Sequence, residues 1–197
     1  MGTPQKAVAW IKPEEYLALE EKATTKHEYL DGVVYAWQGF APDAMAGGSR
    51  AHSQVIQNLV VTLRPKLRGT PCRTYAADIR LHVRQRQAYF YPDVAVTCSP
   101  SDSPAAQADA AEFAEPTVIF EVLSDSTEAF DRGEKFEAYK QIPTLEEYLL
   151  VSPAGRRVEA FRRGQNSARE TCEATTPVRV EALATLLQPE EIFEGLI

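Results

Sequence analysis

The chain has 197 residues, 44% of them hydrophobic and 25% charged, which is typical of a globular protein with a sizeable core. Its net charge of −7 argues against a protein that coats nucleic acid through bulk electrostatics, although a local basic surface is compatible with it. No apolar stretch reaches the roughly 18 residues that a membrane helix needs, and the start of the chain lacks the apolar region of a signal peptide. We therefore expect no membrane partner.

The three cysteines, Cys72, Cys98 and Cys172, are widely spaced and odd in number. Their spacing matches no zinc site and no disulfide framework. Unpaired thiols are typical of a reducing compartment, so the expected location is the cytoplasm. We interpret each cysteine as a small apolar residue rather than a catalytic one.

The N-terminal part of the chain predicts a helix followed by a hairpin. Pro13 stands at a suitable first helical position, and acidic residues follow it in the first turn. Further on, Asp31-Gly32 is a strong turn signal between two short strand-like runs. Residues 39–50, which contain several glycines and a proline, are then expected to form a loop.

A longer amphipathic helix is predicted from His52 onward. Apolar residues recur there at helical spacing on one face, namely Val55, Ile56, Leu59, Val60, Leu63 and Leu67. Ser49 is a suitable N-cap and Gly69 a suitable stop. Pro65 should kink or shorten the last turn.

Strands are predicted to resume after this helix. The segment DIRLHVR alternates apolar with basic residues, so one face is expected to be buried and the other basic. AYFYPDVAVTC is the next strand, interrupted by Pro92. Residues 99–116 are rich in Pro, Ala, Ser and Asp and are expected to form a loop. A buried central strand follows, with Glu121 in the middle of its apolar run.

The C-terminal part predicts one helix and two more strands. Asp131 and Glu134 are spaced as a capping box near the start of the helix. The segments EEYLLVS and RRVEAFRRG then have the pattern of strands. Because there is no internal repeat and no domain-sized linker, residues 1–197 are expected to form a single domain of mixed α/β class.

Two carboxylates lie on neighbouring apolar strands, Asp93 in the first and Glu121 in the second. If these strands pair, both acids can point at one site, where like charges would raise each other's pKa unless a cation lies between them. Oxygen ligands of this kind suit Mg²⁺ or Mn²⁺. Lys135 falls in the first turn of the next helix, from where it can orient a water or offset the charge of a phosphate.

The segments YPDVAV, FEVLSDST and DRGEKFEAYKQI together resemble the Uma2 family of endonucleases, also known as DUF820, in the PD-(D/E)XK nuclease superfamily. The resemblance extends to HEYLDGVVY and RRVEAFRRG, so it spans nearly the whole chain. It implies a restriction-endonuclease-like core, in which helices flank a mixed central sheet. An N-terminal helix and hairpin precede that core.

Carried over residue by residue, the resemblance makes Asp93 a metal ligand and Glu121 the acid of the (D/E)XK element. The backbone carbonyl of Val122 is a further candidate ligand. The lysine that should follow the acid by two positions is absent, because Leu123 stands there. In Uma2-like proteins a lysine of the following helix takes its place, and Lys135 is the candidate here.

Two more residues match positions of the family. Glu28 matches an acid near the metal, and His52 matches a histidine at the start of the first long helix. With Asp93, Glu121 and Lys135 they complete the set of candidate catalytic residues.

Each candidate also has a purely structural interpretation. Asp93 can simply end a strand, Glu28 can be a strand-edge charge, and His52 can bond locally at a helix start. Glu121 and Lys135 can form a structural ion pair.

The implied function is a Mg²⁺- or Mn²⁺-dependent endonuclease acting on DNA, as a homodimer that matches the quasi-two-fold symmetry of the duplex. Two other classes stay open. One is a degenerate nuclease fold that only binds DNA or a protein, which the acidic net charge and the absent in-strand lysine favour. The other is a metal-dependent hydrolase of a small phosphorylated substrate, and a salt-sensitive affinity for DNA would argue against it.

Overall fold

The computed structural model describes residues 10–36, 49–106, 108–164, 169–173 and 175–196. The loop predicted at residues 39–50 lies outside the described residues, apart from its last two positions. The described helices are α1 (Pro13–Glu20), α2 (Arg50–Lys66), α3 (Glu128–Arg132), α4 (Glu134–Tyr139) and α5 (Pro189–Ile192). None of them is long and apolar enough to cross a membrane.

Thirteen short strands accompany these helices in the described ranges. They are β1 (His27–Leu30), β2 (Val33–Ala36), β3 (Arg73–Ala76), β4 (Arg80–Val83), β5 (Ala88–Phe90), β6 (Val94–Thr97), β7 (Glu112–Phe113), β8 (Pro116–Val122), β9 (Glu147–Ser152), β10 (Arg157–Arg162), β11 (Arg169–Cys172), β12 (Val178–Val180) and β13 (Thr185–Leu187).

A six-stranded mixed sheet lies at the centre, in the order β11-β10-β9-β8-β6-β3. Its neighbouring strands are antiparallel except β8 and β9, which run parallel because α3 and α4 form the crossover between them. A second sheet has the order β2-β1-β5-β4-β7, and β12 pairs with β13 in a separate ribbon. The predicted architecture, a mixed sheet flanked by helices with an N-terminal helix and hairpin, is confirmed.

The core has two main parts, one on each side of the central sheet. Helix α2 packs Val55, Leu59 and Leu63 against the strands on one side. On the other side, Tyr139 of α4 and Phe90 of the second sheet belong to the other apolar cluster. Burying each such leucine or aromatic side chain stabilises the fold by about 1.5–3 kcal/mol.

The predicted ends of the N-terminal helices are confirmed. Pro13 is the first residue of α1. The Ser49 side chain accepts a hydrogen bond from the His52 backbone N–H at 3.1 Å, so it caps α2. Pro65 lies in the last turn of α2, which ends one residue later, and Gly69 adopts a positive φ just beyond.

The predicted strand around Pro92 is in fact two strands in different sheets. Strand β5 belongs to the second sheet and β6 to the central one. Because proline has no N–H to donate to a ladder, the chain leaves one sheet before Pro92 and enters the other at Val94. This crossing places Asp93 between the two sheets.

The predicted loop at residues 99–116 is mostly irregular but contains a short 3₁₀ turn, Pro100–Asp102, and strand β7. The predicted capping box of Asp131 and Glu134 is wrong. Asp131 lies inside α3, and Gly133 separates α3 from α4. The helix breaks there because Gly133 adopts φ −110° and ψ −108°, outside the helical region, and its lack of a Cβ leaves room for the Ala129 carbonyl oxygen, which an added Cβ would approach to 2.9 Å.

The expectation of three free thiols is also wrong. Cys72 and Cys98 form a disulfide, while Cys172 is free and buried. Strands β3 and β6 pair with Arg73 opposite Thr97, so Cys72, which directly precedes β3, faces Cys98, which directly follows β6. The disulfide removes the support for a reducing compartment that cysteine spacing had offered.

Candidate active site

Asp93 and Glu121 meet at one end of the paired strands β6 and β8. The register sets Val94 opposite Phe120, which brings the two acids side by side. The Asp93 backbone N–H donates to Glu121 Oε2 at 3.2 Å, and the Val122 backbone N–H donates to Asp93 Oδ2 at 2.8 Å. Both side chains are buried, Asp93 at 6% and Glu121 at 2% exposure.

Lys135 of α4 reaches this pair from the helix layer. Its Nζ lies 2.9 Å from Glu121 Oε1 and 3.0 Å from Glu28 Oε1. Leu123, which stands where the superfamily lysine would be, packs in the apolar core instead. The ammonium beside Glu121 therefore comes from α4.

Glu28 and His52 belong to the same cluster, although they come from distant elements. Glu28 lies in β1 of the second sheet and also accepts a hydrogen bond from the Tyr91 backbone N–H at 3.1 Å. His52 lies in the first turn of α2, and its Nε2 is 3.3 Å from Asp93 Oδ2. The structure thus brings all five predicted catalytic residues into one buried network.

Two members of this network escaped the sequence analysis. Asp131 Oδ1 lies 3.5 Å from Lys135 Nζ, and the Tyr139 hydroxyl donates to Glu121 Oε1 at 2.9 Å. Their spacing from Lys135, four residues to either side, is the signal that could have found them, because such residues share a helix face. Because Asp131 was interpreted as part of a capping box, its contact with Lys135 was not predicted.

Burial and crowding of like charges dominate the electrostatics of the cluster. Burial raises the pKa of Glu121 well above its usual range, Lys135 opposes this rise, and Asp93 adds to it. Burial also raises the pKa of Asp131, again against the effect of Lys135. For Lys135 itself burial favours the neutral form, but the carboxylates of Glu121, Glu28 and Asp131 outweigh it and raise the pKa of the lysine.

The pKa of His52, on the other side of the sheet, is also set by burial and by a neighbouring charge that opposes it. Burial would lower the pKa of His52, but its hydrogen bond to Asp93 and the charge of that acid raise it instead. A hydrogen bond to the Val122 backbone acts in the same direction. His52 therefore contacts one of the predicted metal ligands, Asp93, directly.

The residues of the cluster fit a divalent cation in donor type and in charge. Asp93 and Glu121 supply carboxylate oxygens, and the buried acids outnumber the cationic side chains around them. Within the part of the chain that is described, no group of three or more His, Cys, Asp and Glu side chains is arranged to hold an ion. Proteins usually bind Mg²⁺ through one or two carboxylates, with waters and substrate phosphates as the other ligands, so Asp93 and Glu121 are the residues that would hold it.

Comparisons with known proteins bear on this cluster. A family model described as "Uma2: Putative restriction endonuclease" matches residues 13–196. Two proteins of Synechocystis sp. are similar to the chain. "Uncharacterized protein slr1290" is 37% identical over 188 residues, covering 94% of this chain and 93% of the relative. "Uncharacterized protein sll1609" is 34% identical over 150 residues, covering 76% and 78%.

Among solved structures, a protein of Anabaena variabilis is similar to this chain in fold. It is described as a "putative nuclease belonging to DUF820 from Anabaena variabilis" and superposes with a TM-score of 0.74 at 20% identity. The match covers 95% of this chain and 99% of that chain. The similarity in fold therefore extends over nearly the whole of both chains.

Proposed function

This chain belongs to the Uma2 family, and from that membership we propose that it is a metal-dependent endonuclease that hydrolyses phosphodiester bonds in DNA. The observation that carries the proposal is the convergence of Asp93, Glu121 and Lys135 at the ends of two paired strands. An acid on each of two adjacent strands with a nearby lysine is the composition that metal-assisted phosphoryl transfer needs. The family is described as one of restriction endonucleases, which agrees with this chemistry.

In the proposal, Asp93, Glu121 and the Val122 carbonyl would hold Mg²⁺ or Mn²⁺, which when bound would supply a Lewis acid at the scissile phosphate and a water of lowered pKa. Lys135 orients the attacking water and offsets negative charge in the transition state.

Two further residues position this set. His52 fixes the Asp93 carboxylate through its Nε2. Glu28 anchors the Lys135 ammonium. We propose that the protein acts as a homodimer, since two copies match the two strands of a duplex.

A second candidate function has one observation in its favour. Lys135 and His52 occupy oxygens of Glu121 and Asp93 directly, as they would in a structural ion-pair network. Such a network would suit a degenerate nuclease fold that binds DNA or a protein without cutting. A hydrolase of small phosphorylated substrates is the other alternative, and it predicts no salt-sensitive binding of DNA.

Cleavage of plasmid DNA tests the proposal. We expect the protein to nick or cut supercoiled plasmid with Mn²⁺ or Mg²⁺, and Asp93→Ala, Glu121→Ala and Lys135→Ala each to abolish this activity. Glu137→Ala is a matched control, because Glu137 lies on α4 but pairs only with Lys140 in the described structure. Circular dichroism verifies that each variant is folded.

Two results would count against the proposal in different ways. Cleavage that survives all three substitutions would refute the assignment of the site. Folded wild-type protein that cuts no DNA under any metal would favour the degenerate fold.

A further inference from the structure

One segment of the chain has a charge pattern unlike the rest. Between Asp43 and Asp78 there is no aspartate or glutamate, although the whole chain has 28 acids in 197 residues. This acid-free segment, residues 44–77, carries five cationic side chains, Arg50, Arg64, Lys66, Arg68 and Arg73. Its described part consists of α2, the turn after it and β3.

Helix α2 displays this pattern on its outer face. The side chains of Arg50, Gln57 and Arg64 are exposed and follow one another at intervals of seven residues, which places them in one stripe along the helix. Val61 lies in the same stripe and is 70% exposed. From Arg50 to Arg64 the stripe is about 21 Å long, at 1.5 Å per residue.

Three arginines of the segment have no carboxylate partner among the residues that the structure describes. Lys66 pairs with Glu191 of α5 at 3.1 Å. In the described parts of the chain, by contrast, no carboxylate lies within ion-pair distance of Arg50, Arg64 or Arg68. Their positive charge is therefore available to a partner.

An open depression lies at the C-terminal end of α2. It has a volume of about 580 Å³ and is lined by Arg64, Arg68 and Arg73, together with Gly69 and Thr70 of the turn. The Arg73 guanidinium donates to the Thr70 and Cys72 backbone carbonyls through one nitrogen, so it is held in place at the rim. A cleft with three guanidinium groups and no acid in its lining suits an anionic ligand.

The N-terminal end of the stripe lies on the same first turn of α2 as His52, which contacts Asp93 from the buried face of the helix. We propose that the outer face of α2 and the arginine-lined depression at its end bind the phosphate backbone of DNA. This proposal rests on the endonuclease function proposed above. It adds the surface along which the substrate would approach the site.

The chemistry of the surface favours a DNA backbone over a protein partner. Protein interfaces are centred on apolar and aromatic side chains, whereas this stripe offers a single exposed apolar side chain, Val61. Unpaired arginines spaced along a helix with neutral polar residues between them are suited to successive phosphates. Binding of this kind is independent of base sequence and sensitive to salt.

Fluorescence anisotropy with a short labelled DNA duplex, in EDTA and over a range of salt concentrations, tests the proposal. Arg64→Gln/Arg68→Gln should weaken binding at low salt by tenfold or more. It should also reduce the slope of log affinity against log salt by about 2, since each lost phosphate contact removes roughly 0.9. Gln57→Glu, a substitution of equal size on the exposed stripe, should weaken binding as well.

Matched variants separate the local surface from net charge. Lys22→Gln/Arg84→Gln removes the same charge from two exposed positions away from α2 and should leave the salt slope unchanged. Gln85→Glu, at an exposed turn, is the control for Gln57→Glu.

The outcomes distinguish this proposal from the proposed function. If both double variants lose affinity equally, or neither does, the α2 surface is refuted, while metal-dependent cleavage by the wild type would leave the endonuclease function intact. If wild-type protein neither binds nor cuts DNA, both proposals fail. If the α2 variants instead lose the ability to bind another protein while DNA binding is unchanged, the surface has a different partner and the proposal is wrong.

Discussion

Lys135 is one ammonium among three buried carboxylates, Glu28, Glu121 and Asp131. These carboxylates raise the pKa of the buried lysine and keep it charged. The charged lysine in turn stabilises the buried carboxylates. The same side chain is the proposed catalytic lysine, so at this position stability and activity are coupled.

Replacing Lys135 with methionine keeps its length and removes its charge. We expect Lys135→Met to lower the free energy of unfolding by about 3–5 kcal/mol, because buried carboxylates lose their partner. Urea unfolding measures the change. Lys140→Met, which breaks the half-exposed pair with Glu137 and removes the ammonium over the Phe136 ring, should cost no more than about 1 kcal/mol. Equal losses of unfolding free energy in the two variants would show that Lys135 does not stabilise the buried carboxylates.

At the residue scale, the sequence predicts some members of the site better than others. Glu121 stands out because an acid inside an apolar strand needs a partner. Asp131 and Tyr139 did not stand out, because both also suit ordinary helix positions. The contact of Asp93 with His52 joins residues 41 positions apart, and only the packing of α2 against the sheet reveals it.

At the scale of the elements, the break between α3 and α4 sets the direction of Lys135. The sequence predicts one helix over this region, with a capping box of Asp131 and Glu134 near its start. The structure has two short helices, separated at Gly133, whose backbone has φ −110° and ψ −108°. An added Cβ at Gly133 would approach the Ala129 carbonyl oxygen at 2.9 Å, a contact that is apparent only in the folded chain.

Gly133→Ala tests the role of this break. The added methyl should lower the free energy of unfolding by about 1–3 kcal/mol, as overpacking does. It should also reduce DNA cleavage, since α4 must shift and carries Lys135 with it. Gly155→Ala is the matched control, because the nearest atom to its added Cβ is a side-chain oxygen at 3.3 Å, and its effect should stay within about 0.5 kcal/mol. Wild-type stability and activity in Gly133→Ala would contradict this account of the helix break.

The disulfide could not be predicted from the sequence either. Cysteine spacing along the chain gave no indication of the bond between Cys72 and Cys98, because the information lies in the register of β3 against β6. Register depends on which strands become neighbours. Here the neighbours are separated in sequence by two strands of another sheet, β4 and β5.

At the scale of the molecule, the candidate site lies where two sheets and two helix layers meet. Glu28 comes from the second sheet, Asp93 from the link between the two sheets, Glu121 from the central sheet, His52 from α2 and Lys135 from α4. The mixed α/β class could be predicted from the order of the elements, but the division into two sheets could not. The division into two sheets occurs at Pro92, which interrupts what otherwise looks like one strand.

The central claim is that this buried cluster is a metal-holding active site rather than a structural ion-pair network. The measurement that tests it most directly is a calorimetric titration of Mn²⁺ into the wild type and Asp93→Asn, with Asp78→Asn as the control for loss of an exposed acid. We predict saturable binding to the wild type and to Asp78→Asn, and none to Asp93→Asn. Absence of binding to the wild type, or equal binding to all three proteins, would contradict the claim.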